Sequence, residues 1–215
     1  MKAIWLRLAL QSAVFALAFT AIGHAGEKAK RPVSSQILEA KFNYCQTCHG
    51  VSGQGFRGYF TMPRLAGQQP QYIENQLRAF SELRRVNPVM RNVSHGLTPA
   101  MIAPLAAHFK SLNPAPYGGA PNESTALGKA IFDTGLPDAN VPACSACHGP
   151  DGKGQGQIPR LSGQLYWYTV KALGGWDKER GQGSVKDISA IMSPTAHNLT
   201  QSQVSAIAAY VSNLR

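Results

Sequence analysis

Cys45-Gln46-Thr47-Cys48-His49 and Cys144-Ser145-Ala146-Cys147-His148 are two copies of one pattern, C-x-x-C-H, and together they hold all four cysteines of the chain. Two cysteines three positions apart, with a histidine directly after the second, form the signature of covalent haem attachment. The spacing lets the two thiols reach the two vinyl groups of one porphyrin, and the histidine then falls under the iron as an axial ligand. A four-cysteine zinc site would require the two pairs, 99 positions apart, to meet, and would leave His49 and His148 unexplained. Disulfides and thioredoxin-type thiols share the cysteines but not the repeated histidine. The reading is two covalently bound haem c groups, one on Cys45 and Cys48, the other on Cys144 and Cys147. His49 and His148 are the expected iron ligands.

At the N-terminus, Lys2 and Arg7 lead into an apolar run from Leu8 to Ile22, followed by the small residues Gly23 and Ala25. This is the layout of a cleaved secretory signal peptide over residues 1–25; the apolar run is short against the roughly 20 residues of a spanning helix. The chain is expected to be exported to the periplasm. The formal charge is +10, from 21 basic and 11 acidic residues, and loss of Lys2 and Arg7 leaves +8. A basic surface favours acidic redox partners and is compatible with peripheral association with anionic lipid. The basic residues are scattered and no nucleic-acid motif occurs, so nucleic acid is not an expected partner.

Taken in order, residues 26–33 read as a leader, and from Ser34 a helical pattern runs into Cys45. Gly50, Gly53, Gly55 and Gly58 follow the first motif; Gly149, Gly152, Gly154 and Gly156 follow the second. Neither run is a P-loop, and close approach of the backbone to a flat porphyrin is the simpler account. A second repeat comes next: Pro63-Arg64-Leu65-Ala66-Gly67-Gln68 and Pro159-Arg160-Leu161-Ser162-Gly163-Gln164. A helix is expected after each, then a polar loop leading to Met90 and to Met192, then a last helix opening at Thr98-Pro99 and at Thr200, where Gln203 completes a capping box.

The landmarks stay in register. Cysteine to cysteine is 99 positions, proline to proline 96, methionine to methionine 102. That is a duplicated domain, with a Pro- and Gly-rich linker at 113–124 between domains at 34–112 and 125–215. Each half is small and has few large apolar side chains, so each needs its cofactor as a centre. Met90 and Met192 are the expected sixth ligands: they are in register, and a thioether opposite histidine favours ferrous iron. His95 and His197, five residues after each methionine, are the competing pair. Met101 reads as core filling, and His108, with no counterpart in the second half, as a helix-surface residue.

The order C-x-x-C-H, glycine loop, P-R-L-x-G-Q, aromatic helix, loop methionine and last helix, repeated once, resembles the cytochrome c4 family, dihaem class I cytochromes c of the bacterial periplasm. The likeness covers nearly all of the chain after the leader. It implies an all-α fold of two tandem class I cytochrome c domains, each wrapped around one haem, packed so that electrons pass between the haems. It also implies that the Pro63 and Pro159 carbonyls accept hydrogen bonds from the proximal imidazoles, which would fix the rings and tune the iron. The chain departs from the family pattern in His95 and His197, in Pro104, which should kink the last helix of the first half, and in a longer second methionine loop.

Two irons with both axial positions filled leave no open coordination site. The expected function is therefore electron carriage between respiratory-chain components, with membrane complexes or terminal oxidases as partners, and not catalysis. The rivals are a cytochrome subunit of a larger dehydrogenase, such as a flavin-containing sulfide dehydrogenase, and a dihaem peroxidase.

Overall fold

The computed structural model describes residues 33–118, 120, 125–180 and 187–215. The expected signal peptide lies outside them, and no helix among the described residues is long and apolar enough to cross a membrane. The architecture is helical; the β features among the described residues are isolated bridges.

In the N-terminal half, α1 (Ser35–His49) starts where the Ser34 side chain accepts the Ile37 N–H and ends at Gly50. The haem motif is therefore the last turn of a long helix. Cys45, Cys48 and His49 fall at i, i+3 and i+4, which places them on one helix face. The helices α2 (Pro70–Ser81), α3 (Pro88–His95) and α4 (Pro99–Ser111) each begin on proline, which is preorganised for a first helical turn. Ile73 of α2 packs with Ala106 and Phe109 of α4, and Cys45 and Leu65 close over that cluster.

The C-terminal half repeats this plan with one change. Its first helix, α5 (Thr125–Thr134), stops before the haem motif. Gly135, at φ +73°, turns the chain, a 3-10 turn follows at Pro137–Ala139, and the motif forms its own short helix, α6 (Cys144–His148). Then come α7 (Tyr166–Gly174), α8 (Trp176–Glu179), a 3-10 turn at Ile188–Ile191, α9 (Met192–His197) and α10 (Gln201–Asn213). The expected capping box at Thr200 and Gln203 opens α10. Buried Val204, Ile207, Ala208, Ala209 and Val211 cover most of the circumference of α10, with α5 on one side and α7 on the other.

Two expectations change. The methionines sit in the first turns of the short helices α3 and α9, not in loops. In α3 the reason is local: Asn87 caps the helix by accepting the Met90 N–H at 2.9 Å, and Pro88 occupies its first position. The last helix of the first half contains Pro104 in its interior, between buried Ile102 and Leu105. His108 is half-buried: its ring stacks on Phe42 of α1 at 4.1 Å, and its Nε2 has no hydrogen-bond partner. Crossing of α4 over α1 turns that face inward.

Helix α5 packs closely on α10. A Cβ on Gly128 would lie 2.0 Å from the Ala206 carbonyl oxygen. Gly128→Ala is expected to gain about 1 kcal/mol of helix propensity and lose more to overpacking against backbone. The holoprotein should therefore unfold at lower urea concentration than wild type; an unchanged or higher midpoint would contradict the tight crossing.

Candidate functional site

Each haem motif is completed by the loop behind it. The His49 carbonyl accepts the Gly55 N–H at 2.7 Å, and the Gly53 carbonyl accepts the Leu65 and Ala66 N–H groups at 2.8 and 2.9 Å. The second half repeats this with His148 and Gly154 at 2.8 Å, and with Gly152 accepting from Leu161 and Ser162 at 2.7 and 3.0 Å. The glycines make this fold-back possible. Gly55 has φ +90° and Gly154 φ +66°, and a Cβ at either would strike backbone of the returning strand at 2.7 and 2.3 Å. Gly55 and Gly154 thus serve the approach of backbone to backbone.

The fold-back puts a proline carbonyl beside each imidazole. His49 Nδ1 lies 2.9 Å from the Pro63 carbonyl oxygen, and His148 Nδ1 2.8 Å from that of Pro159. A carbonyl only accepts, so in each ring Nδ1 carries the proton and Nε2 keeps its lone pair. Both rings are buried, at 7 % and 6 % exposure. Burial lowers both imidazole pKa values, against the opposing pull of the proline carbonyls; for His49 the Arg85 charge lowers it further. Both are held neutral, with a free Nε2. That is the form an iron ligand requires, so the residues fit a haem.

The cysteines fit as well. Cys45 and Cys144 are partly buried against the two cores, and all four thiols are free of disulfides. Burial raises the Cys45 thiol and pushes that of Cys144 up to about 11. No cluster of three or more His, Cys, Asp or Glu that could hold a metal ion occurs among the described residues, so the cysteine pairs do not meet. Met90 and Met192 are half-buried in matching places. His95 is exposed at the end of α3, and His197 is exposed with Nδ1 3.7 Å from an Asp177 oxygen.

The repeated P-R-L-x-G-Q motif does more than supply the prolines. Gln164 Oε1 accepts the Arg64 N–H at 2.9 Å, and its Nε2 donates to the Arg64 carbonyl at 3.1 Å. Gln68 does the same for Arg160, at 2.6 and 3.0 Å. The halves are joined by this reciprocal pair. The Arg64 guanidinium, pulled down to about 10 by burial and the Arg160 charge, remains protonated and donates to the Ala66 and Pro114 carbonyls, tying in the linker. Beside this lies a second shared cluster. Arg85 donates to Gln76 and Tyr168 at 2.7 and 2.8 Å, and buried Arg180 donates to Tyr72 and Tyr168 at 3.2 Å each. Sequence reasoning gave roles to the prolines and missed the glutamines and this cluster, although the repeat itself marked the glutamines.

The segment leading to Met192 is anchored to the first half by Asp187, which accepts from Arg84 and from the Ser189 N–H and hydroxyl. Burial pushes the Asp187 carboxyl up, but the Ser189 hydrogen bonds and the Arg84 charge outweigh it and hold the group below its ordinary range. A depressed folded value means that the stabilisation is present above the unfolded carboxylate pKa of about 4 and is lost as pH falls through the folded value. Asp187→Asn should cost about 2 kcal/mol near neutral pH, as for a hydrogen bond to a charged group. The gap from wild type should close below that window, as read from urea midpoints at the two pH values.

Comparison with known proteins agrees with this geometry. A family model for cytochrome c matches the chain twice, over residues 39–114 and 125–215. A cytochrome c4 from Thiocapsa roseopersicina is 36% identical over 83% of this chain and 92% of its own length. A protein described as a thiosulfate dehydrogenase electron acceptor, from Stutzerimonas stutzeri, is 34% identical over 79% of this chain and 78% of its own. The solved cytochrome c4 of Acidithiobacillus ferrooxidans superposes with a TM-score of 0.68 at 34% identity, covering 80% of this chain and 99% of that one. The chain belongs to the cytochrome c4 family, with two tandem cytochrome c domains and two covalently bound haem c groups.

Proposed function

We propose that the protein is a periplasmic electron carrier in which Cys45, Cys48, His49 and Met90 hold one haem, and Cys144, Cys147, His148 and Met192 the other. The domains serving them are those at 34–112 and 125–215. The haem supplies a reversible one-electron couple. Around it, each imidazole presents a neutral Nε2 fixed by the Pro63 or Pro159 carbonyl, and the cysteines tie the helix face to the porphyrin edge. A methionine thioether as the second iron ligand would favour ferrous iron and raise the potential.

One observation carries the reading: the two halves present the same proximal geometry and matched methionines, while His95 and His197 are turned to solvent. With histidine and methionine on both irons no coordination position would be open, which would favour outer-sphere electron transfer over catalysis. The basic surface suits acidic redox partners such as membrane respiratory complexes or terminal oxidases. The likeness to electron acceptors of thiosulfate dehydrogenase supports a second reading, in which the protein takes electrons as the cytochrome component of a dehydrogenase. Isolation as a free monomer separates the carrier from the tightly bound subunit.

The test is a spectroscopic redox titration of the holoprotein. Met90→Ala and Met192→Ala should each abolish the methionine-to-iron absorption of one haem and lower one potential by roughly a hundred millivolts or more, an effect on the scale of axial-ligand changes. If neither variant changes the spectrum, the assignment fails and His95 and His197 replace the methionines.

A further inference from the structure

Two hydrogen-bond chains cross between the domains, and each starts on a proximal imidazole. His49 Nδ1–H donates to the Pro63 carbonyl at 2.9 Å. The N–H of that same peptide group belongs to Arg64, and it donates to Oε1 of Gln164 in the other domain at 2.9 Å. In mirror image, His148 donates to the Pro159 carbonyl at 2.8 Å, and the Arg160 N–H donates to Gln68 Oε1 at 2.6 Å. The amide orientations are fixed, because each Nε2 must face a carbonyl, that of Arg64 or Arg160. Gln68, Gln164 and Arg64 are buried, so water does not compete for these bonds.

A peptide group whose N–H is engaged in a low-dielectric setting is polarised, and its carbonyl becomes a stronger acceptor. A stronger acceptor draws on the Nδ1 proton and makes Nε2 a more basic ligand. We propose that Gln164 sets the donor strength of His49, and Gln68 that of His148, so that each domain tunes the haem of the other. The proposal rests on the reading of His49 and His148 as iron ligands. The glutamines are positioning residues acting through the Pro63–Arg64 and Pro159–Arg160 peptides. A more basic imidazole favours ferric iron, so loss of a glutamine raises the potential of the haem in the opposite domain. A purely adhesive role predicts no such crossing.

The experiment uses histidine-labelled holoprotein in the ferrous state, observed by nuclear magnetic resonance, together with redox titration. The two Nδ1–H resonances, displaced by haem ring currents, are assigned through their contacts to Pro63 and Pro159. Gln164→Leu should move the His49 resonance upfield, leave His148 in place, and shift the electron distribution of the half-reduced protein toward the His49 haem roughly two- to four-fold. Gln68→Leu should do the reverse. Gln164→Glu, which keeps a carbonyl over the Arg64 N–H, should restore most of the shift. If the leucine variants do not fold, the two glutamate variants carry the test through the displacement that remains, which must be larger at the histidine of the opposite domain than at that of its own. Equal movement of both histidines, movement of the own-domain histidine alone, or no movement in a folded dihaem protein would overturn the proposal. Absence of ring-current displacement on the imidazoles would overturn the ligand reading and the proposal with it, whereas displaced resonances without a crossed response sink the proposal alone.

Discussion

Two peptide groups, Pro63–Arg64 and Pro159–Arg160, carry loads in two directions. The carbonyl of each orients a buried imidazole of its own domain, and the N–H of each is held by a glutamine of the other. A peptide is planar, so the two bonds cannot be adjusted independently: to place the carbonyl under the histidine is also to aim the N–H outward at the partner domain. The glycines at 55 and 154 exist to bring these peptides into place, because only a residue without a Cβ lets the returning strand lie against the haem loop.

The rest of the interface is polar for its degree of burial. Arg85 and Arg180 lie in it on the tyrosine hydroxyls and the Gln76 amide, stacked on Phe80 and Trp176. Arg64 lies nearby on backbone carbonyls. Buried charge of this kind confers position more readily than stability. The apolar clusters that stabilise each domain are small, three or four fully buried residues with partly buried neighbours around them. Cys45 and Cys144, the proposed attachment points, are themselves neighbours of those clusters, so a haem held there would extend them.

The duplication is closer in the loops than in the helices. Hydrogen bonds around the haem motif, the glycine turns and the P-R-L-x-G-Q segment match bond for bond, while the first helix of each half differs. In one half it runs unbroken into the motif; in the other Gly135 and Pro137 separate α5 from α6. A loop that must present a carbonyl at hydrogen-bond distance tolerates little change. A helix that supplies apolar cover tolerates a break as long as its buried face is kept.

Much of the protein was legible in the residues alone, for local reasons. C-x-x-C-H carries its chemistry in its own spacing, and a repeat with constant order identifies a tandem domain without any structure. Helix starts at Ser34 and Thr200 follow from side chains that cap the turn beside them. The methionine helices are hard to see in sequence because eight and six residues are too few for a clear periodicity, although Asn87-Pro88 is a usable start signal. The half-burial of His108 is not legible, because the crossing of α4 over α1 is not written in either helix. The tertiary structure alone decided what the glutamines and the buried arginines do. Gln164 lies 100 positions from Arg64 in the chain, and a bond between them exists only because two copies of one motif meet face to face. Sequence determines which groups can bond; packing determines which of them share a peptide.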